Sequence, residues 1–197
     1  MRTKIYVEGG GDQHRTTRAC RSGFGKYLEK VVVAGAMPRV VACGSRSQAY
    51  KDFLRGQDDP KYDRVLLLVD AEAVVALGDD AWAHLLKRDQ WTKPDGVGAD
   101  SAHLMVECME SWFLADKEAL SGYYGQDFNS NALPARKEIE LVVKKDLETS
   151  LENATKQTQN GVYHKTQHGF EILAIIDPKK VESSSGFARR LHDLLRK

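Results

Sequence analysis

The chain has 197 residues, 42% hydrophobic and 29% charged, with a formal net charge of +1; this is enough for one domain with its own core, and it excludes a chain-wide basic field. No apolar run approaches the roughly 20 residues of a membrane span, and no signal-type apolar region follows Met1-Arg2-Thr3-Lys4, so the expectation is a cytoplasmic protein with no membrane contact. Cys20, Cys43 and Cys108 are widely spaced and form no CxxC or Cys/His cluster, which excludes a zinc module and suits a reducing compartment.

Residues 4–8 read as a buried strand that ends on Glu8, followed by Gly9-Gly10-Gly11 and a second acid, Asp12. A helix is expected from Gln13 to about Ala34, carried by Ala19, Phe24, Tyr27, Leu28, Val31 and Val32 and interrupted by Gly23 and Gly25. Residues 38–43 read as a second strand, and Ser45 is placed to cap a helix running through Tyr50, Phe53 and Leu54. The continuous run from Arg64 to Asp70 reads as a third strand buried on both faces, as in the middle of a parallel sheet. Asp79 and Asp80 mark the start of a helix over 81–88, and a Gly/Pro/Asp loop covers 92–100. A short fourth strand is expected over 103–107, then a helix over 110–116, irregular chain over 122–134, and helices over about 135–158, 168–176 and 186–196.

Strand, helix, strand, helix, strand is a doubly wound pattern. The expected fold class is α/β, a Rossmann-like, mostly parallel sheet of about four strands flanked by helices. The expected organisation is one domain over 1–197, an α/β core over 1–120 with a helical extension over 121–197.

Acids then end strand one (Glu8) and strand three (Asp70) and follow strand four (Glu107 or Glu110). In a parallel sheet these ends share one edge, the edge where open α/β sheets bind ligands. Like charges brought together there call for a cation, and several hard oxygen donors suit Mg²⁺ or Mn²⁺. Such a site serves phosphoryl chemistry. Gly9-Gly10-Gly11 lacks the Lys-Ser/Thr of a P-loop and the spacing of a dinucleotide fingerprint, so it reads as a tight turn that lets Glu8 and Asp12 face the same edge.

Val7-Glu8-Gly9 and Asp70-Ala71-Glu72 resemble the two acidic motifs of the TOPRIM fold, found in topoisomerases, bacterial primases and the overcoming-lysogenization-defect nucleases. The usual second motif is Asp-x-Asp; here the second acid is Glu72. A fuller resemblance is to a family of small bacterial TOPRIM-like proteins catalogued as a domain of unknown function. It rests on residues 6–12, Cys43-Gly44-Ser45-Arg46, residues 67–70, Met109-Glu110-Ser111-Trp112-Phe113-Leu114-Ala115-Asp116, and Tyr163-His164-Lys165-Thr166 with His168-Gly169. The resemblance implies a metal-dependent phosphodiester hydrolase, a nuclease acting on DNA or RNA, with an ATPase partner in modules resembling phage-defence systems.

On this reading Glu8 and Asp70 hold metal, with Asp12 or Glu72 and Glu110 as further ligands, and Arg46 and Lys165 stabilise charge on the phosphate. Arg46, just inside a helix start, is placed to bind phosphate. His14 stands beside the acidic turn, and His164 and His168 are candidate general acids, His168 reading equally well as a cap or packing residue. Trp112 reads as core and Asp116 as the cap of the following helix. Two alternatives stay open: a non-catalytic binding subunit of an ATPase complex, and a phosphatase acting on a small nucleotide.

Overall fold

The computed structural model describes residues 1–11 and 13–197. Four strands, β1 (Thr3–Val7), β2 (Arg39–Ala42), β3 (Arg64–Asp70) and β4 (Ala102–Met105), form one sheet in the order β2-β1-β3-β4, with every neighbouring pair parallel. Eight α-helices among the described residues flank it: α1 (His14–Glu29), α2 (Arg46–Gly56), α3 (Ala81–Asp89), α4 (Lys117–Tyr124), α5 (Lys144–Thr155), α6 (Lys165–Ile175), α7 (Pro178–Ser184) and α8 (Gly186–Leu195). The architecture is α/β and Rossmann-like, as the strand–helix alternation predicts.

The apolar run of β3 is continuous because both its faces are covered. Leu66 and Leu68 join Phe24, Tyr27 and Leu28 of α1 on one side. Leu67 and Val69 join Ala49 and Phe53 of α2 and Trp82 and Leu85 of α3 on the other. Alternate side chains of a strand point to opposite faces, so seven residues serve two cores. The first core is extended by the second half of the chain, where Trp112 stacks on Tyr27 with ring centroids 5.2 Å apart.

Several expectations change in detail. The helix expected over 110–116 is present as a 3₁₀ helix (Met109–Asp116). The expected helix over 135–158 is a 3₁₀ turn (Ile139–Leu141) followed by α5. α4 runs into the stretch read as irregular, and α7 lies where no element was expected. Asp177 accepts from Lys179 N–H at 2.8 Å and Pro178 takes the first turn, an Asp-Pro start that the sequence does carry.

α1 runs unbroken through Gly23 and Gly25, contrary to the expected interruption. Gly23 is there because α6 crosses it: a Cβ at this position would stand 2.6 Å from the Phe170 carbonyl oxygen. No helix of the described residues is long and apolar enough to cross a membrane.

The sheet order sends the chain from β1 outward to β2, then back across β1 to β3. The reversal makes the C-terminal ends of β1 and β3 a topological switch point, where open sheets leave a crevice. Glu8 and Asp70 lie there.

Helix propensity alone predicts that Gly23→Ala stabilises α1 by about 1 kcal/mol. The contact with the Phe170 backbone overrides this, and the substitution is expected to destabilise by about 1–3 kcal/mol, read as a lowered urea midpoint. A raised midpoint would show that α1 and α6 have room to part.

Candidate metal centre

Glu8 leaves β1 with its N–H on the Leu68 carbonyl at 3.0 Å. The chain then turns through Gly9, Gly10 and Gly11 at φ values of 127°, 91° and 53°, a left-handed run that side-chain-bearing residues resist. Gly9 and Gly44 exchange backbone hydrogen bonds of 2.9 and 3.0 Å, which tie this turn to the end of β2. A Cβ on Gly10 would lie 2.9 Å from Thr17 Cα, so the turn also packs flush on α1.

The turn aims the Glu8 carboxylate across the sheet edge. Its Oε2 accepts from Asp70 N–H at 3.1 Å and stands 3.4 Å from Arg46 Nη1. Asp70, 3% exposed, accepts from Met109 N–H at 2.7 Å through Oδ1 and faces Lys165 Nζ at 3.3 Å through Oδ2. Glu72 follows in a left-handed conformation, φ 61°, its N–H on the Glu107 carbonyl at 2.7 Å. One carboxylate oxygen each from Glu8, Asp70 and Glu72 falls within 4.8 Å of the others. Three hard oxygen donors at that spacing fit a divalent cation of the Mg²⁺ or Mn²⁺ kind. A pocket of about 210 Å³ opens beside them, lined by Glu8, Asp70, Lys165, Thr166, Phe170 and the glycine turn.

The family model described as Domain of unknown function (DUF4276) matches residues 7–196. The chain belongs to this family. No curated protein and no solved structure matches it. The DUF4276 match takes in Glu8, Arg46, Asp70, Glu72, Glu110 and Lys165 alike.

In this DUF4276 chain two of the expected site residues take other places. Glu110, 2% exposed, does not join the three converging carboxylates. Its Oε1 accepts from Tyr163 O–H at 3.0 Å and its Oε2 lies 3.4 Å from Lys165 Nζ, the lysine that also faces Asp70. Arg46, expected to bind phosphate, is engaged by the protein. Its Nε and Nη2 meet both oxygens of Asp89 at 3.2 and 2.7 Å, its Nη1 serves Glu8 and the Asp70 carbonyl, and its guanidinium lies 5.0 Å from the centre of the Trp91 ring. It is a strut that aims Glu8.

Asp12 lies outside the described residues. His14 and His164 are exposed, and His164 precedes α6 as its N-cap residue. His168 is buried, Trp112 is core, and Asp116 caps α4 by accepting from Ala119 N–H at 3.3 Å. Glu107 accepts from Lys144 N–H at 2.8 Å and supports α5.

Asp89, Trp91, Lys144 and Tyr163 are supporting residues that the sequence reading did not assign. Lys144 Nζ meets both oxygens of Glu72 at 2.8 and 2.7 Å. One of the four carried a signal: Asp89 closes a helix, at the end where the helix dipole disfavours its charge.

The charges shift as burial demands. Burial, resisted by Arg46 and the Asp70 N–H, lifts Glu8 above the usual carboxylate value. Burial, resisted by Lys165 and reinforced by Glu110, Glu8 and Glu72, pushes Asp70 up to about 7. For Glu72 burial works in the same direction, but the Lys144 hydrogen bond and charge outweigh it and the carboxyl ends below its usual value. Lys165 is opposed by burial and held above the usual lysine value by Asp70 and Glu110.

Two outcomes follow. A carboxyl whose pKa rises on folding binds more protons in the folded state between its ordinary value of 3.8 and about 7. The contribution of Asp70 to metal-free stability therefore falls as pH climbs through that window, and that of Glu8 falls in the same direction, while the buried histidines His103, His168 and His192, whose pKa values are lowered, contribute with the opposite sign. In thermal melts in chelator the stability of Asp70→Asn relative to the native chain should rise as pH climbs from about 4 to 7; a difference that stays constant or falls would contradict the raised pKa of Asp70. Arg46→Met leaves Asp89, 11% exposed as a side chain, with Arg88 as its remaining ion-pair partner and should cost about 1–3 kcal/mol, part of it recovered by adding Asp89→Asn. Strict additivity of the two in denaturant titrations would remove the strut role.

Proposed function

We propose that the chain is a TOPRIM-like, Mg²⁺- or Mn²⁺-dependent phosphodiester hydrolase acting on nucleic acid. The single observation that carries this reading is the convergence of the Glu8, Asp70 and Glu72 carboxylates, with Lys165 beside them, at the switch point of the sheet. The acids follow β1 and end β3, the two places where the TOPRIM resemblance puts its motifs.

Glu8, Asp70 and Glu72 would hold the metal. Bound there, it would polarise a phosphoryl oxygen and lower the pKa of an attacking water. The chain's own part is positional and electrostatic. Arg46 and the Asp70 N–H fix the Glu8 carboxylate, and Met109 N–H fixes that of Asp70. Glu110 and Asp70 hold Lys165 protonated at the pocket wall, where its ammonium, 44% exposed as a side chain, offsets negative charge gathering on a phosphoryl group.

A second reading has one observation in its favour. Lys144 occupies both Glu72 oxygens, as a permanent internal counter-ion would. On that reading the domain is a binding subunit of an ATPase complex.

Glu8→Gln should lower metal-dependent cleavage of DNA or RNA by at least about a hundredfold while the melting temperature in chelator stays within a few degrees. Full activity in that variant would end the hydrolase assignment. Calorimetry with Mn²⁺ separates the two readings: metal binding lost in Asp70→Asn supports the hydrolase, and no binding by the native chain supports the subunit.

A further inference from the structure

Charge is spread unevenly along the chain. Residues 13–45 hold six Lys or Arg and one Glu, a net of +5, which leaves −4 for the remaining residues of a chain that totals +1. Three of the six, Arg18, Arg21 and Lys26, are exposed on α1. Elsewhere Lys87 meets Asp79, Lys180 meets Asp116 and Glu118, and Arg196 meets Glu182. Arg18, Arg21 and Lys26 have no ion-pair partner among the described residues. Arg15 is set apart from them, because it shares a wall with Glu171. Glu29, the one acid of the stretch, stands at the far end of α1.

The three cations share one side of the helix. Residues 18, 21, 22, 25 and 26 recur at spacings of three and four, opposite the buried Cys20, Phe24 and Tyr27. An open groove of about 390 Å³ runs between that side and β2, with Arg18 and Arg21 on one wall and Met37 and Val40 on the other. Gly25 leaves the floor bare, since even a Cβ there would meet only Met37 Cε, at 4.0 Å. β2 ends the sheet, so its outer edge is unpaired. Pro38 and Arg39 at that edge oppose the addition of another strand, and a second copy would bring like charges together across a two-fold axis.

One end of the groove adjoins the carboxylates. A Cβ on Gly10 would lie 2.9 Å from Thr17 Cα, and one on Gly9 3.3 Å from Cys20 Sγ, so α1 is seated here on the turn that carries Glu8. From Arg18 to Lys26 the helix rises about 12 Å, the length of three to four nucleotide steps. We propose that this groove holds the sugar–phosphate backbone of a polynucleotide strand and leads that strand to the carboxylates. The inference rests on the hydrolase reading for what happens to the strand there; the affinity of the groove for a polyanion rests on α1 alone. It names the substrate as a polymer rather than a small nucleotide, because the cations extend well beyond the reach of one phosphate.

Fluorescence anisotropy with a short labelled single-stranded DNA, in Ca²⁺ to prevent turnover and across a salt series, tests the groove without reading cleavage. Arg18→Gln, Arg21→Gln and Lys26→Gln should each weaken binding about fivefold to tenfold at low salt. Each should also lower the slope of log affinity against log salt by about 0.7, the share of one phosphate contact on a single strand. The three together should lower it by about 2. All three side chains are exposed and Gln keeps helix propensity, so the fold is retained. Arg55→Gln, on α2 at the other face of the sheet and 75% exposed as a side chain, should change neither quantity. Unchanged slopes in the α1 variants, an equal loss in Arg55→Gln, or no binding by the native chain overturns the groove. So does stronger competition by a polyglutamate peptide than by DNA of equal charge, which assigns the face to an acidic protein, or self-association lost in the α1 variants, which assigns it to a second copy. The expected losses in a chain that cleaves no nucleic acid overturn the hydrolase reading and leave the groove standing; cleavage with unchanged binding in the α1 variants does the reverse.

Discussion

Like-charged carboxylates gathered inside a protein repel one another and lose their hydration, and most of what surrounds the sheet edge here answers that cost. Glu8, Asp70, Glu72 and Glu110 meet three cations, and each cation comes from a different helix start: Arg46 from α2, Lys144 from α5 and Lys165 from α6. Backbone N–H groups of Asp70 and Met109 complete the set. The helices of the second half therefore have an electrostatic role beside their packing role, since α5 and α6 deliver two of the three counter-charges.

The same constraint explains why the cations are not interchangeable. Arg46 is held on both oxygens of Asp89 and lies against Trp91, so its position is set by the protein and it sets that of Glu8. A planar, forked guanidinium can do this, and an ammonium cannot. Lys165 instead ends in a pocket, reaches two acids at 3.3 and 3.4 Å, and keeps nearly half its side chain exposed. One orients an acid, the other ends at a pocket wall.

The glycines serve the same edge by geometry. Gly10 lets the β1 turn lie against α1, and Gly23 lets α6 lie against α1. Because α6 sits that close, Lys165 at its first turn reaches the carboxylate pocket. A backbone contact some way from the acids thus positions the donor beside them.

The sequence by itself determined the sheet and its acidic edge. An apolar run such as Val65–Val69, closed by Asp70, has few options other than a doubly covered strand, and a strand ending on an acid puts that acid at the C-terminal edge. Ser45 and Asp80 announced their helices by local capping chemistry, which acts within three residues. What tertiary structure alone decided was which charges meet. Arg46 reads as a phosphate ligand until Asp89, 43 residues away, is brought to it. Glu110 reads as a metal ligand until Tyr163 and Lys165 are brought to it. Glu72 pairs with Lys144 across 72 residues. Local pattern specifies where a side chain leaves the backbone; ion pairing depends on distances of a few ångströms between segments remote in sequence, and only the packed fold sets those.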